Sequence, residues 1–286
     1  VEKYIGREMT AMNIEKITAV YWSASGNTRR VVTVLGQALA QRLGVPYSDI
    51  DFTLPAARKQ DYSFSATDFV IAGAPTYAGK LPNKILPDFA THLIGGHTPC
   101  AAVVTYGNRS FDNALAELCA VLQKDEFLPV SAVTVPCRHA FTDALANGRP
   151  DEKDVTALAA FADKIADRLM ADKATPVCVP GQADAPYYIP QGRDGKPAKF
   201  LKAKPKTDIE RCISCGHCAA VCPMGAIDAE DVTAVTGICI KCQACIRACP
   251  KQAKYFDDPA FLSHVAMLKE HFADTVTGRK AISFYL

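Results

Sequence analysis

Ile14-Glu-Lys-Ile-Thr-Ala-Val-Tyr-Trp22 runs straight into Ser23-Ala-Ser-Gly-Asn-Thr28, and then into a periodic stretch that ends at Leu43-Gly44-Val-Pro46. The first part is rich in β-branched and aromatic residues and reads as a strand. From about Thr28 to Leu43 the apolar residues Val31, Leu35, Leu39 and Leu43 recur on one helical face. Gly44 and Pro46 then stop the helix. A strand, a small polar loop and a helix make an anion site. The loop N–H groups and the positive end of the helix dipole face the anion, and hydroxyls of Ser23, Ser25 and Thr28 can add bonds. Ser23, Ser25, Gly26, Asn27 and Thr28 are therefore candidate phosphate ligands, with Arg29 and Arg30 in the first turn free to assist or to face water. The plain alternative is that such a turn only caps a helix. Its place directly after a buried first strand favours a ligand, since ligands in open α/β sheets bind at the strands' carboxyl ends. The loop has neither G-x4-G-K-[ST] nor G-x-G-x-x-G, so direct use of a nicotinamide dinucleotide is not expected.

Working outward, Val45 to Phe52 reads as a second strand and Asp68-Phe-Val-Ile-Ala-Gly-Ala-Pro75 as a third, nearly all apolar as a strand covered on both faces is. Ala101 to Thr105 gives a fourth strand, Phe111 to Lys124 a helix, and Leu128 to Val135 a fifth strand. Asp151 to Met170 is an amphipathic helix with Val155, Leu158, Ala162, Ile165 and Leu169 on one face. This alternation implies a doubly wound parallel sheet. The loop Ser23–Thr28 matches the S/T-x-S/T-G-N-T phosphate loop of flavodoxins, and residues 1–170 resemble a flavodoxin domain. That resemblance implies α/β architecture with five parallel strands in the order 2-1-3-4-5, and FMN as the ligand. It further implies that the flavin ring lies against the loops after strands three and four, namely Pro75, Thr76, Tyr77, Ala78 and Gly79, and Tyr106, Gly107, Asn108 and Arg109. In that reading Tyr77 and Tyr106 pack on the ring and backbone amides near Gly79 and Gly107 bond its edge; the alternative is that either tyrosine only packs its loop. Trp22 reads as core, and Cys137-Arg-His139 as structural, because neighbours in sequence are no catalytic dyad.

Residues 171–206 carry Pro176, Pro180, Pro186, Pro190, Pro197 and Pro205, an extended and semi-rigid linker. Lys196, Lys199, Lys202, Lys204 and Lys206 in its second half suit a solvated tether, or a docking patch for an acidic redox partner. Beyond it lie Cys212-Ile-Ser-Cys215-Gly-His-Cys218-Ala-Ala-Val-Cys222-Pro223 and Cys239-Ile-Lys-Cys242-Gln-Ala-Cys245-Ile-Arg-Ala-Cys249-Pro250. Both read C-x2-C-x2-C-x3-C-P, and each cysteine of the first recurs 27 positions later. Three thiolates two residues apart wrap one iron–sulfur cube from a tight loop, and the fourth, before proline, reaches the other cube. Cys212, Cys215, Cys218 and Cys249 are assigned to one [4Fe–4S] cluster, and Cys239, Cys242, Cys245 and Cys222 to the other. Zinc knuckles are the competing reading, but zinc usually takes two separated pairs. Residues 207–257 resemble a bacterial two-cluster ferredoxin, a small α+β domain. Residues 258–286 then give a helix opened by Asp258-Pro259, with Phe261, Val265, Leu268 and Phe272 on one stripe, and a tail that is either a strand or an ordered arm.

Taken together, the parts resemble flavodoxin–ferredoxin fusion proteins. The resemblance implies an electron carrier that couples two [4Fe–4S] clusters to FMN and so connects one-electron and two-electron redox partners. The alternatives are an FMN-dependent reductase of a small organic acceptor and a redox sensor, for which no effector motif is present. Charges nearly cancel at a formal +2, giving no pull toward nucleic acid or membrane, and no apolar run approaches the roughly 18 residues of a span. Val1-Glu-Lys-Tyr-Ile-Gly6 lacks a signal-peptide core. With eight of twelve cysteines given to clusters, a reducing cytoplasm is expected, and Cys100, Cys119, Cys137 and Cys178 read as small buried hydrophobes. Redox-protein donors and acceptors are expected as partners, with a two-fold homodimer the preferred assembly.

Overall fold

The computed structural model describes residues 12–171 and 175–286, so the N-terminal hexapeptide and residues 172–174 of the linker lie outside the described residues. Strands β1 (Lys16–Tyr21), β2 (Tyr47–Asp51), β3 (Asp68–Pro75), β4 (Thr98–Tyr106) and β5 (Phe127–Pro136) are parallel and lie in the order β2-β1-β3-β4-β5. Their side chains alternate between two cores. Ile17, Ala19 and Tyr21 face one layer, made by α1 (Asn27–Leu43) and α4 (Glu152–Met170). Val20 and Trp22 face the other, where Phe89 of α2 (Leu86–His92) and Leu115 and Leu118 of α3 (Ala114–Lys124) pack. Helices on both faces explain why β3 and β4 are apolar almost throughout. The helix ends follow local chemistry. Gly44, at φ 70, closes α1 by donating its N–H to Ala40 O. Asp151 and Asp154 form a reciprocal capping box that opens α4.

The expected five-stranded sheet has a sixth strand. β6 (Ser283–Tyr285) pairs antiparallel with β5 along the open edge, so the tail is a strand and completes the sheet from outside residues 1–170. Covering that edge removes a row of unpaired backbone groups. Ion pairs fasten the tail. Arg149, nearly buried, bonds Asp154 at 2.7 Å and Lys280 O at 2.7 Å, while Arg279 reaches Asp151 at 2.6 Å and Asp154 at 2.8 Å. Asp154→Asn leaves Arg149 buried without its carboxylate, and denaturant titration should register a loss of about 3–5 kcal/mol. An unchanged midpoint would mean that the pair carries no net stability.

Residues 175–205 contain no helix or ladder strand, yet they are not the solvated tether that their composition suggests. Val177 donates its N–H to Pro129 O, Gln182 to Asn113 Oδ1 and Tyr188 to Ala78 O, and the Tyr187 hydroxyl donates to Leu81 O. The linker is a strap laid over the sheet. Cys178 rides on it and is exposed, unlike Cys100, Cys119 and Cys137, because an extended strap has no second layer to bury it. α5 (Pro259–Phe272) begins at Asp258, whose carboxylate accepts the Phe261 N–H. Its Phe261 meets Phe141, Phe200 and Phe256, and its Met267 and Leu268 form a small core with Leu145. Among the described residues no helix is long and apolar enough to cross a membrane.

Candidate functional site

The 27-residue repeat is visible in the backbone. Ser214 and Lys241 (φ 52 and 59), Gly216 and Gln243 (φ 73 and 67), and Gly225 and Gln252 (φ 55 and 50) are matched pairs in the left-handed region. After the second pair each half makes a short helix, His217–Ala220 and Ala244–Ala248. After each Cys-Pro an alanine N–H donates to the cysteine sulfur, Ala226 to Cys222 Sγ at 3.3 Å and Ala253 to Cys249 Sγ at 3.2 Å. Two loops of equal shape face each other and exchange their last cysteine. One cavity is lined by Cys212, Cys215, Cys218 and Cys249, the other by Cys239, Cys242, Cys245 and Cys222. These are the two sets of four that the spacing assigns. The thiols surround space; among the described residues no three Cys, His or carboxylate groups converge as a single-ion site requires. Without metal, burial pushes the Cys242 and Cys245 thiols up to about 12. Thiols of that kind are protonated at neutral pH and release protons to a metal.

At the sheet, the loop after β1 opens α1 through Gly26, which lies at φ 84 and carries no capping side chain. Ser23 Oγ accepts the Arg29 N–H at 3.0 Å, whereas Thr28 Oγ1 turns inward to Thr105 Oγ1 at 2.8 Å. The N–H groups of Ser25, Asn27 and Thr28 have no protein acceptor among the described residues. The loop therefore offers its backbone, with Arg29 and Arg30 exposed beside it. Asn27 Nδ2 donates to Arg138 O at 2.9 Å, which brings the loop after β5 against it. All these loops leave the same, carboxyl, end of the sheet.

Pro75 ends β3, and Thr76 Oγ1 is buried with no partner. Tyr77 closes a tight turn to Lys80, with Ala78 and Gly79 at φ 48 and 81. Its ring stands edge-on to buried Trp22 at 5.7 Å between centroids. Tyr106 is buried against Phe111 at 5.6 Å, so the two tyrosines lie in separate contacts. Gly107 is pressed against His139, whose ring would lie 2.2 Å from any added Cβ. Asn108 Nδ2 is spent on Phe272 O at 3.1 Å and Asp274 Oδ1 at 3.1 Å, and Arg109 pairs with Asp112 and stacks on Tyr188. Those two side chains fasten the C-terminal segment and the strap.

The cysteine loops sit on this same end of the sheet. Cys242 and Ala244 belong to the apolar cluster that holds Trp22, with Tyr77, Val221, Met224 and Ile240 packed on it. Burial pushes the Tyr77 hydroxyl well above its ordinary value, and the charges of Cys242 and Cys239 add to it. Arg58 donates to Pro223 O at 2.7 Å, and Arg247 to His139 O at 2.7 Å and Ala140 O at 2.9 Å. Neither arginine is legible as a site residue in the sequence, since each reaches more than a hundred positions along the chain. The second cavity thus faces Tyr77, while the first faces away, with Cys215 and Ile213 exposed.

A family model of the 4Fe–4S dicluster domain matches residues 211–254. No curated protein matches the chain. Among solved structures, a Streptococcus pneumoniae flavodoxin is 19% identical, covers 54% of this chain and 99% of its own, and superposes with a TM-score of 0.38. A Megasphaera elsdenii flavodoxin is 15% identical over 52% of this chain and 98% of its own, with a TM-score of 0.35. The rubredoxin oxygen:oxidoreductase of Desulfovibrio gigas is 18% identical over 57% of this chain and 38% of its own, also at 0.35. The strand order of the chain itself carries the fold. The doubly wound sheet is flavodoxin-like in its strand order. The chain thus joins a flavodoxin-like sheet to a segment, residues 211–254, that matches the 4Fe–4S dicluster model.

Proposed function

We propose that this chain is an electron carrier in which two [4Fe–4S] clusters pass electrons to and from FMN within one polypeptide. The observation that carries the reading is the packing of Cys242 into the apolar cluster of Trp22 and Tyr77, at the carboxyl ends of the strands where a flavin mononucleotide would lie. Bound clusters exchange electrons singly, and FMN exchanges them singly or in pairs. The chain's own residues hold and insulate. Cys212, Cys215, Cys218 and Cys249 would hold the outer cluster, and Cys239, Cys242, Cys245 and Cys222 the inner one, each set lining one cavity. Ser25, Asn27 and Thr28 have free N–H groups that would receive the phosphate. Tyr77 and its turn supply the ring wall, and the strap pinned to Ala78 and Leu81 keeps water from it. No side chain is assigned as a general acid or base.

This cover supports a carrier over a reductase of small organic acceptors, which needs open access to the flavin. It also supports transfer inside one chain, so a dimer is not required for the wire. Exposed Cys215 and Ile213 would give a redox-protein partner access to the outer cluster. The test is composition: anaerobically purified protein should hold roughly eight irons, about four per cluster, and one FMN. Stoichiometric zinc without acid-labile sulfide would overturn it.

A further inference from the structure

Each cysteine cavity is lined by one buried lysine. Lys254, 3% exposed, lines the outer cavity, and Lys241, 8% exposed, lines the inner one. Lys254 Nζ donates to Thr207 Oγ1 at 2.7 Å and to Val232 O, and Lys241 Nζ to Cys239 O at 3.0 Å and to Leu201 O. All four acceptors are neutral. Among the described residues neither ammonium has a carboxylate within 4.0 Å. The acids that act on them from further off are Asp231 near Lys254 and Asp258 near Lys241. A buried ammonium without a counter-anion costs several kcal/mol.

The repeat shows that these cations are not demanded by the backbone. Ile227 stands 27 residues before Lys254, follows the matching alanine, and is as deeply buried. Ser214 is the mate of Lys241 and shares its left-handed conformation. At equivalent addresses one half places a neutral residue and the other a lysine, and the two substitutions are arranged so that each cavity receives one cation. A cube held by four thiolates is an anion, and its net surroundings set its potential.

We propose that Lys254 and Lys241 are the counter-cations of the outer and inner clusters, one apiece, and that each makes its own cluster easier to reduce. This rests on the two-cluster reading, which the iron content of the unaltered protein tests first: about half the expected iron would end that reading before any variant is made. The experiment is an anaerobic potentiometric titration of the full chain, followed by electron paramagnetic resonance, for Lys254→Met, Lys241→Met, Lys254→Arg and Lys241→Arg. Each Met variant should weaken reduction of one cluster at least tenfold, about 59 mV downward for a one-electron couple, and move the other cluster less. Each Arg variant, which keeps the charge, should stay near the unaltered protein. Fully assembled Met variants with unmoved midpoints would overturn the proposal. Should a Met variant fail to assemble while its Arg counterpart assembles, the cation is required and the proposal stands. Failure of both would assign the position to packing and overturn it.

Discussion

Chelating the iron from the anaerobic protein is expected to unfold residues 207–257 while leaving the sheet of β1 to β5 folded. The buried core of the cysteine segment is Ile227 and Val232 with Cys218 and Cys245, so half of it consists of the cysteines proposed as cluster ligands. A unit this small needs its metal to fold, and the two buried lysines add cations that lose their counter-anions when the clusters leave. One core of the sheet contains no residue of the cysteine segment, and the other takes only Cys242 and Ala244 from it into its buried set, so the sheet should stay folded. Amide exchange should lose nearly all protection over residues 207–257 and keep it in β3 and β4. Trp22 gives a second reading, because it is the only tryptophan of the chain and lies beneath Cys242 and Ala244 in the shared apolar cluster. Its emission should shift to longer wavelength as that cover opens to water. Equal protection of the segment with and without iron would contradict the metal-dependent fold.

Replacing one ligand of the inner cluster should have the next largest effect. Cys242→Ser removes the thiolate that is packed toward Tyr77, and iron should fall by about half, from roughly eight to roughly four. FMN content should stay at one per chain, since Ser25, Asn27 and Thr28 are untouched. The outer cluster should still be reduced by an external donor, yet flavin reduction through the protein should collapse. Cys215→Ser, at the exposed outer cavity, should halve the iron equally while leaving an inner cluster beside the flavin. Rapid flavin reduction in the Cys242→Ser protein would show that the inner cluster is not on the path.

The parts of this molecule that were legible in sequence are those fixed by local chemistry. Gly44 ends α1, Asp258 caps α5, and β3 runs over the same residues, Asp68–Pro75, that its apolar composition marks. Cys222 lines one cavity with Cys239, Cys242 and Cys245, the grouping that the spacing implies. What sequence could not supply is contact across distance. β6 is three residues long and is a strand only because β5 offers it an edge. The strap looks like a tether by composition, and it is pinned because Tyr187 and Tyr188 find partners over a hundred residues away, at Leu81 and Ala78. Asn108 and Arg109 fall in a loop that flavodoxin resemblance marks for the flavin, but their side chains serve the C-terminal segment and the strap. The hydroxyl of Thr28 points into the sheet for a similar reason, because Thr105 on β4 lies within reach.

Rapid mixing would show whether electrons cross from cluster to flavin inside one chain. Oxidised protein loaded with clusters and FMN is mixed anaerobically with a reduced one-electron donor, and cluster and flavin absorbance are followed together across a range of protein concentrations. The clusters should be reduced first, in a step that scales with donor. Flavin bleaching should follow at a rate independent of protein concentration, and this phase should vanish in Cys242→Ser. A flavin phase that scales with protein concentration, or a flavin that stays oxidised while both clusters are reduced, would contradict transfer inside one chain.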